Sequence, residues 1–207
     1  MKELNKGLIT KKIGMTQMFD DKGQVVVVTV LEACDNFIVS KKTADKNGYQ
    51  ALKVGSREVK EEKLTKPAAG QFKAAGKFFK KIHEIRLKNI DTYNAGEELK
   101  VDIFKDNEKV NVSGIIKGRG FTGTVKRYNF TIGPISHGSK HHRRKGTSGA
   151  GTGQAKVWKG QKTAGHYGNC LVTVKNLKIY KVMPEKKLIL VKGAVPGAVG
   201  GTVKVYN

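Results

Sequence analysis

Short apolar runs separated by turn signals occupy both ends of this chain. Residues 25–31 form a β-branched run that follows a turn sequence, Asp-Asp-Lys-Gly, at residues 20–23, and apolar side chains recur at residues 15–19. This arrangement predicts a β-hairpin. Residues 37–39 and 49–54 repeat the pattern around an Asn-Gly turn signal, so we expect a second pair of strands.

Four further apolar runs lie near the other end of the chain, at residues 171–174, 177–182, 187–191 and 202–206. Turn residues separate them, and their spacing is typical of short antiparallel strands. Many short strands at this spacing predict a closed antiparallel barrel, which also removes exposed sheet edges.

Residues 59–95 carry a different pattern. Pro67, at a suitable first-turn position, precedes several alanines and Phe72, which predicts a short helix that ends at Gly76. Residues 83–87 return to strand alternation, so the segment is predicted as a small α+β insertion. The predicted plan is a β-barrel of residues 1–58, 96–116 and 166–207, an α+β insertion of residues 59–95, and an extended loop of residues 117–165.

The composition is consistent with a compact folded domain of moderate size. The chain has 207 residues, of which 38% are hydrophobic, enough to bury a core in one domain. Two cysteines, Cys34 and Cys170, are too few for a disulfide scaffold or a cysteine zinc site and favour a reducing compartment. The longest apolar run falls far short of the ~20 residues of a membrane helix. We therefore expect a soluble cytoplasmic protein without a membrane partner.

The charged residues are distributed unevenly along the chain, and this distribution bears on the function. The formal net charge is +23, and residues 109–184 carry 15 Lys+Arg with no Asp or Glu, whereas residues 1–108 carry 21 against 16. Like charges within a Debye length of about 8 Å repel, so ordinary surfaces mix both signs. The complete lack of acids implies that the counter-charge comes from a polyanion outside the chain.

The basic region is also rich in glycine and poor in large aliphatic residues from about residue 117 to residue 165. Such a segment cannot fold around its own core. Run out and back at ~3.3 Å per residue, these 49 residues could reach up to about 80 Å. Its few aromatic residues favour recognition of folded RNA by shape and phosphate over base reading in DNA.

Residues 118–123 spell the dinucleotide motif GxGxxG. The following residues, 124–130, have β propensity rather than helical propensity, and no acidic residue for a ribose follows before Glu185. We interpret these glycines as sites where the backbone approaches a phosphate chain. Arg119, Lys126 and Arg127 are then phosphate contacts, and Phe121 and Tyr128 are stacking surfaces.

The histidines His137, His141 and His142 could be read as a metal cluster. Zinc sites use four ligands, usually with Cys or carboxylates, and second-shell acceptors, and this segment has neither Asp nor Glu. The adjacent cations of residues 140–145 would repel a divalent ion. A Ser136–His137 nucleophile pair likewise has no orienting carboxylate nearby in sequence. We therefore predict no metal, no cofactor and no catalytic residue, and assign the imidazoles to RNA contacts.

Five segments, in order along the chain, resemble the bacterial form of ribosomal protein three of the large subunit: GLITKKIGMT at 7–16, GRGFTGTVKR at 118–127, HGS at 137–139, KVWKG at 156–160 and VKGAVPG at 191–197. The resemblance spans essentially the whole chain. It implies a translation-protein β-barrel on the subunit exterior and a long loop that threads rRNA toward the peptidyl transferase centre. It also implies early binding during assembly near the 3′ domain of 23S rRNA, beside other large-subunit proteins, and no homo-oligomer.

The resemblance places the basic stem at Lys126, Arg127, His142 and Arg143. The full set of predicted rRNA contacts is Lys117, Arg119, Phe121, Lys126, Arg127, Tyr128, His137, Lys140, His141, His142, Arg143, Arg144, Lys145, Lys156, Trp158, Lys159 and Lys162. The loop tip near the peptidyl transferase centre would be Thr147, Ser148, Gly149, Ala150, Gly151, Thr152, Gly153 and Gln154.

Three positions depart from the family pattern that the resemblance implies. Lys145 stands where a proline is common. Thr152 stands where some bacteria carry a methylated glutamine, and Gln154 lies two positions later, so no such modification is expected. Trp158 replaces a usual phenylalanine and is predicted to pack at the loop base.

The function predicted from these observations is a non-enzymatic structural protein of the large ribosomal subunit. The rival hypothesis is an RNA-modifying or nucleotide-binding enzyme that uses the GxGxxG stretch. The acid-free middle of the chain speaks against the rival, and dinucleotide binding that is lost on Gly120→Val would support it.

Overall fold

The computed structural model describes residues 4–72, 75–90, 92–149 and 156–207. The chain forms two compact units. Unit 1 comprises Met1–Ile116 and Leu171–Asn207, and unit 2 comprises Lys117–Cys170. The predicted loop of residues 117–165 lies within unit 2.

Antiparallel strands dominate unit 1, as the sequence predicts, whereas the described part of unit 2 has only two short strands and one short helix. The strands are β1 (Gly7–Phe19), β2 (Val25–Ala33), β3 (Phe37–Lys42), β4 (Ala51–Glu58), β5 (Phe79–Ile85), β6 (Lys109–Ile115), β7 (Phe121–Thr122), β8 (Gly165–His166), β9 (Leu171–Met183), β10 (Leu188–Lys192) and β11 (Thr202–Tyr206). The helices are α1 (Ala44–Asn47), α2 (Lys66–Gly70) and α3 (Thr124–Tyr128), with 3-10 turns at Glu61–Lys63 and Val101–Ile103.

Six strands of unit 1 close into a barrel in the order β1-β11-β6-β9-β10-β2. The local hairpin β1–β2 follows the predicted turn, where Gly23 has a positive φ of 73°. Alternate residues of β2, such as Val26 and Val28, are buried while Val25 and Val27 are exposed. This alternation places one face of the strand in the barrel core.

Strands β3 and β4 were predicted within the barrel segment 1–58, and this assignment is wrong. They form a separate three-stranded sheet in the order β3-β4-β5. A strand's apolar pattern sets which face it buries but not its partner, and β4 finds its second partner in β5 of the predicted insertion. Leu52, Val54 and Ile85 of this sheet join the same hydrophobic core as the barrel.

The two strands predicted at residues 171–174 and 177–182 are one continuous strand, β9. The Lys175-Asn176 pair is a bulge instead of a turn. Asn176 takes a φ of 57°, and its backbone N–H donates to Oδ1 of Asn111 at 3.1 Å, where the register with β6 shifts. A bulge keeps the strand paired while absorbing the extra residue.

The helix predicted to end at Gly76 is shorter than expected. It is α2, which has Pro67 in its first turn and ends at Gly70. Phe72 beyond it is buried with Phe79 and Val39 in a second apolar cluster. In the described part of the chain, no helix has the length and apolar character needed to cross a membrane.

Unit 2 begins where β6 ends and finishes where β9 begins. Ile115 of β6 pairs with Leu171 of β9, so both ends of unit 2 connect to neighbouring strands of the barrel. A 54-residue excursion can therefore leave and return without interrupting the barrel's hydrogen bonding.

Candidate nucleic-acid interface

A short antiparallel ladder forms the base of unit 2. β7 pairs with β8, and the ladder extends through hydrogen bonds from the Arg119 N–H to the Tyr167 carbonyl (2.8 Å) and from the Tyr167 N–H to the Gly120 carbonyl (3.0 Å). Gly168 takes a φ of 78°, and a Cβ there would collide with the carbonyl oxygen of Lys117. Only glycine fits where these two backbones approach so closely.

The segment after the GxGxxG stretch is helical, which corrects the expectation of a strand at residues 124–130. α3 follows Gly123, which is extended (φ −69°, ψ 166°), and ends at Asn129, which is left-handed (φ 59°). β propensity reflects packing in a sheet, and among the described residues no strand pairs with this segment. Buried Thr124 instead turns the chain into a single helical turn.

This setting does not match a dinucleotide site. Such a site places its glycines between a parallel strand and a full helix. Here β7 is antiparallel and two residues long, and α3 has five residues. The Thr122 hydroxyl donates to the carbonyls of Arg119 (3.0 Å) and Gly120 (3.3 Å), so the motif forms a local turn.

Arg127 stabilises unit 2 from within. Its Nη1 donates to the Thr163 carbonyl at 2.8 Å, and a Cβ on Gly165 would come within 2.7 Å of the same nitrogen. Its guanidinium also lies 5.0 Å from the centre of the Tyr128 ring, and Nζ of Lys162 lies 5.9 Å from that ring. Arg127 and Tyr128 are therefore half-buried and join the two sides of unit 2, a role that sequence reasoning missed.

Three predicted phosphate contacts, which we name the cavity cations, line one open cavity of about 280 Å³: Arg119, Lys126 and Arg143. Phe121 and Val125 complete its wall, and the Phe121 ring is 82% exposed. The cavity thus brings cationic donors and a bare aromatic face to one place, which suits a phosphate and a stacked base.

A turn around the histidines forms the next part of unit 2. The Gly133 N–H donates to the His142 carbonyl at 2.9 Å, and Nδ1–H of His142 donates to the Pro134 carbonyl at 3.1 Å. His137 lies at the bend with a φ of 57°. The three imidazoles are exposed. Within residues 4–72, 75–90, 92–149 and 156–207, no group of His, Cys, Asp or Glu could hold a metal ion.

Only the beginning of the predicted tip lies among the described residues. The Thr147 hydroxyl and the Gly149 backbone form a small turn, and Nε2 of Gln161 donates to the Ser148 carbonyl at 2.9 Å. The other predicted tip residues lie outside the described residues: Ala150, Gly151, Thr152, Gly153 and Gln154. The prediction that Trp158 packs at the loop base is wrong, because its side chain is 61% exposed.

The remaining predicted contacts lie on the surface of unit 2. The exposed cations include Lys117, Lys140, Arg144, Lys156 and Lys159, while Lys145 is half-buried. No hydrophobic side chain is buried among the described residues of unit 2, and Ile135 is 85% exposed. The sequence holds 11 Lys and Arg and no Asp or Glu in residues 117–170. All the ion pairs seen in the described structure lie in unit 1.

Comparison with known proteins identifies the family of this chain. The family model of ribosomal protein L3 matches residues 89–187, a range that contains all of unit 2. The chain is 50% identical over 199 residues to the large ribosomal subunit protein uL3 of Borreliella afzelii (strain PKo), covering 96% of this chain and 97% of that protein. It is 49% identical, with the same coverage, to uL3 of Borreliella burgdorferi (strain ZS7). The chain therefore belongs to the ribosomal protein L3 family, whose members are structural proteins and not enzymes.

Proposed function

We propose that this protein is a structural constituent of the large ribosomal subunit that binds 23S rRNA through unit 2. The relatives carry the name large ribosomal subunit protein, and the likeness extends over 96% of the chain. The observation that carries the proposal is the charge of unit 2, where 11 cationic side chains occur without one carboxylate.

The physical argument rests on what stabilises each unit. A segment without a buried apolar core does not offset the conformational entropy that folding costs. Unit 2 also accumulates like charges, whose mutual repulsion opposes compaction. Phosphate groups of RNA supply the missing counter-charge and add contacts, so unit 2 gains its stability in the bound state.

The cavity cations give this proposal a specific point of contact. Lysine acts as a point charge toward phosphate, and arginine offers a planar fork of donors. Phe121 beside them presents a ring on which an unstacked base can lie. We expect a backbone turn of rRNA to dock here, with the phosphate among the cations.

The finer features of the proposal follow the family. The barrel is of the translation-protein type and lies on the exterior of the subunit beside neighbouring ribosomal proteins, in the cytoplasm. Unit 2 penetrates the rRNA and directs residues 147–154 toward the peptidyl transferase centre. Early binding of the chain to 23S rRNA helps nucleate subunit assembly.

Deletion of residues 138–153 tests this function. Unit 1 has its own core and is expected to stay folded, because the deletion lies entirely in unit 2. A strain with only the deleted chain should accumulate incomplete large subunits or change its sensitivity to drugs that act at the peptidyl transferase centre. Unchanged subunit profiles together with unchanged drug sensitivity would contradict the proposal, as would release of the intact chain from large subunits by a moderate-salt wash.

A further inference from the structure

A second basic cluster lies in unit 1, where the three-stranded sheet meets the outside of the barrel. Nζ of Lys204, on β11, donates to the backbone carbonyl of Glu84, on β5, at 3.1 Å. Nζ of Lys81, also on β5, donates to Oγ1 of Thr202 at 3.1 Å. We name this contact the β5–β11 seam, and its basic members are Lys81, His83 and Lys204.

Strand register explains why these cations meet. Lys81 and His83 lie opposite Ser56 and Val54 of β4, on the face of the sheet that turns toward the barrel. Lys204 stands between the buried residues Val203 and Val205 of β11, so it projects from the outer face of the barrel. The two faces therefore bring positive side chains together from different strands.

The seam has no counter-charge of its own. Among the described residues, no carboxylate oxygen lies within ion-pair distance of Lys81, His83 or Lys204. Glu84, next to His83 in sequence, turns its carboxylate to Lys42 (2.5 Å) and to the Tyr49 hydroxyl (2.9 Å).

Burial increases the cost of this arrangement. Nε2 of His83 is buried and has no hydrogen-bond partner. Burial lowers the pKa of His83, and the positive charges of Lys81 and Lys204 lower it further. Burial also lowers the pKa of Lys204, with a further contribution from Arg86. The hydrogen-bond partners of Lys81 and Lys204 are neutral, and a half-buried cation such as Lys204 without a counter-charge is costly, which favours an anion supplied from outside.

We propose that the β5–β11 seam binds a phosphodiester group of RNA through Lys81 and Lys204, next to the half-buried imidazole of His83. This site goes beyond the proposed function, which assigns the RNA contacts to unit 2. Ammonium groups from the two strands lie along the same seam, and a phosphate has several acceptor oxygens for such donors. The Lys81 side chain is exposed, so the seam is accessible from solvent, whereas His83 and Lys204 are half-buried.

RNA binding at the seam should change the pKa of His83 in a direction that can be measured. A phosphate placed near the imidazole stabilises its charged form, so the pKa of His83 rises from its lowered value toward or above the ordinary one. Without RNA, burial and then the charges of Lys81 and Lys204 hold the pKa of His83 below its ordinary value of 6.5. His83 is the only histidine outside residues 137–166, and a His83→Gln variant identifies its signal.

The experiment follows the His83 ring protons of the full-length chain by NMR as a function of pH, with and without a short RNA duplex in excess. We expect the duplex to raise the pKa of His83 by about one pH unit, and Lys81→Met or Lys204→Met to remove most of that rise. Arg143→Gln, in unit 2, is the matched control and should leave the rise intact.

Two results would overturn the proposal. One is an unchanged pKa of His83 at RNA concentrations that shift the signals of His137, His141 and His142 in unit 2; the proposed function would then stand and the seam proposal would fail. The other is a rise produced by polyglutamate but not by RNA, which would assign the seam to an acidic protein.

Discussion

Unit 1 and unit 2 belong to one chain but rely on different sources of stability. Unit 1 buries a continuous apolar core that joins the barrel and the three-stranded sheet, and its carboxylates pair with its lysines. The described part of unit 2 buries no hydrophobic side chain and has no carboxylate with which to form an ion pair. Under the proposed function, RNA supplies the stabilisation that unit 2 lacks.

The local interactions of unit 2 agree with this division. Backbone ladders, a half-buried Arg127 and glycine contacts give unit 2 a defined base, but each contributes only a modest net stabilisation. They shape the unit without offsetting its charge repulsion. We therefore interpret unit 2 as a preformed surface whose final order depends on RNA.

The largest expected effect is a difference in unfolding free energy between two isoleucine substitutions, one in each unit. Ile189→Ala in the barrel core, where the side chain is fully buried, should lower the free energy of unfolding by about 2–5 kcal/mol. Ile135→Ala in unit 2 should change it by less than about 0.5 kcal/mol, because that side chain is exposed. Urea unfolding followed by circular dichroism measures both. Equal losses of unfolding free energy in the two variants would contradict the inference that the two units are stabilised differently.

A smaller effect is expected at the base of unit 2. Gly168→Ala should weaken the ladder by about 1–3 kcal/mol, because the new Cβ meets the Lys117 carbonyl at a positive φ. Gly146→Ala is the matched control, since a Cβ there meets nothing within 4 Å. Amide hydrogen exchange at Arg119 and Tyr167 reports the change, and equal protection in the two variants would count against the close backbone contact.

A fall in pH should destabilise unit 1 through the protonation of Glu108. Burial would raise the pKa of this carboxyl, but hydrogen bonds from Asn207, from the Lys105 N–H and from Lys6 hold the pKa below its ordinary value of 4.5. Its stabilising contribution is therefore complete above pH 4.5 and is lost as the pH falls through the lowered pKa. Glu108→Gln should cost about 1 kcal/mol at pH 7 and reduce the loss of stability below pH 4.5. A pH dependence identical to that of the parent chain would show that these hydrogen bonds do not act.

The smallest effect is expected at an exposed ion pair of unit 1. Hydrogen bonds to Asp35 and then Glu98 raise the pKa of Lys187, but the pairs are exposed to solvent. Lys187→Met should lower the free energy of unfolding by less than about 1 kcal/mol, and salt should diminish that difference. Urea unfolding at low and high salt provides the measurement, and a loss larger than 2 kcal/mol would mean that surface charges contribute more to unit 1 than its core suggests.

The parts of the fold that depend on neighbours in sequence were predictable. The β1–β2 hairpin followed from an apolar run on each side of a turn, and unit 2 was recognisable because its residues lack acids. The pairing of β4 with β5 was not, because the apolar pattern of a strand does not name its partner.

The residues of the candidate site could be predicted from the sequence, but their spatial arrangement could not. Arg119 and Lys126 were expected phosphate contacts, but their meeting with Arg143 around one cavity depends on the turn at α3, where the sequence favoured a strand. Trp158 was expected to pack and is exposed, because an apolar ring is buried only where other apolar side chains surround it.

The central claim, that unit 2 takes its counter-charge from RNA, is tested most directly by the salt dependence of binding to a 23S rRNA fragment. Each phosphate contact adds about 0.7–0.9 to the slope of log K against log salt. Changing the three cavity cations to glutamine should therefore reduce the slope by about 2. The control changes three lysines of unit 1 that pair with carboxylates: Lys11, Lys77 and Lys187. The control variant should keep the slope of the unmodified chain, and an equal reduction in both variants, or none in either, would contradict the claim.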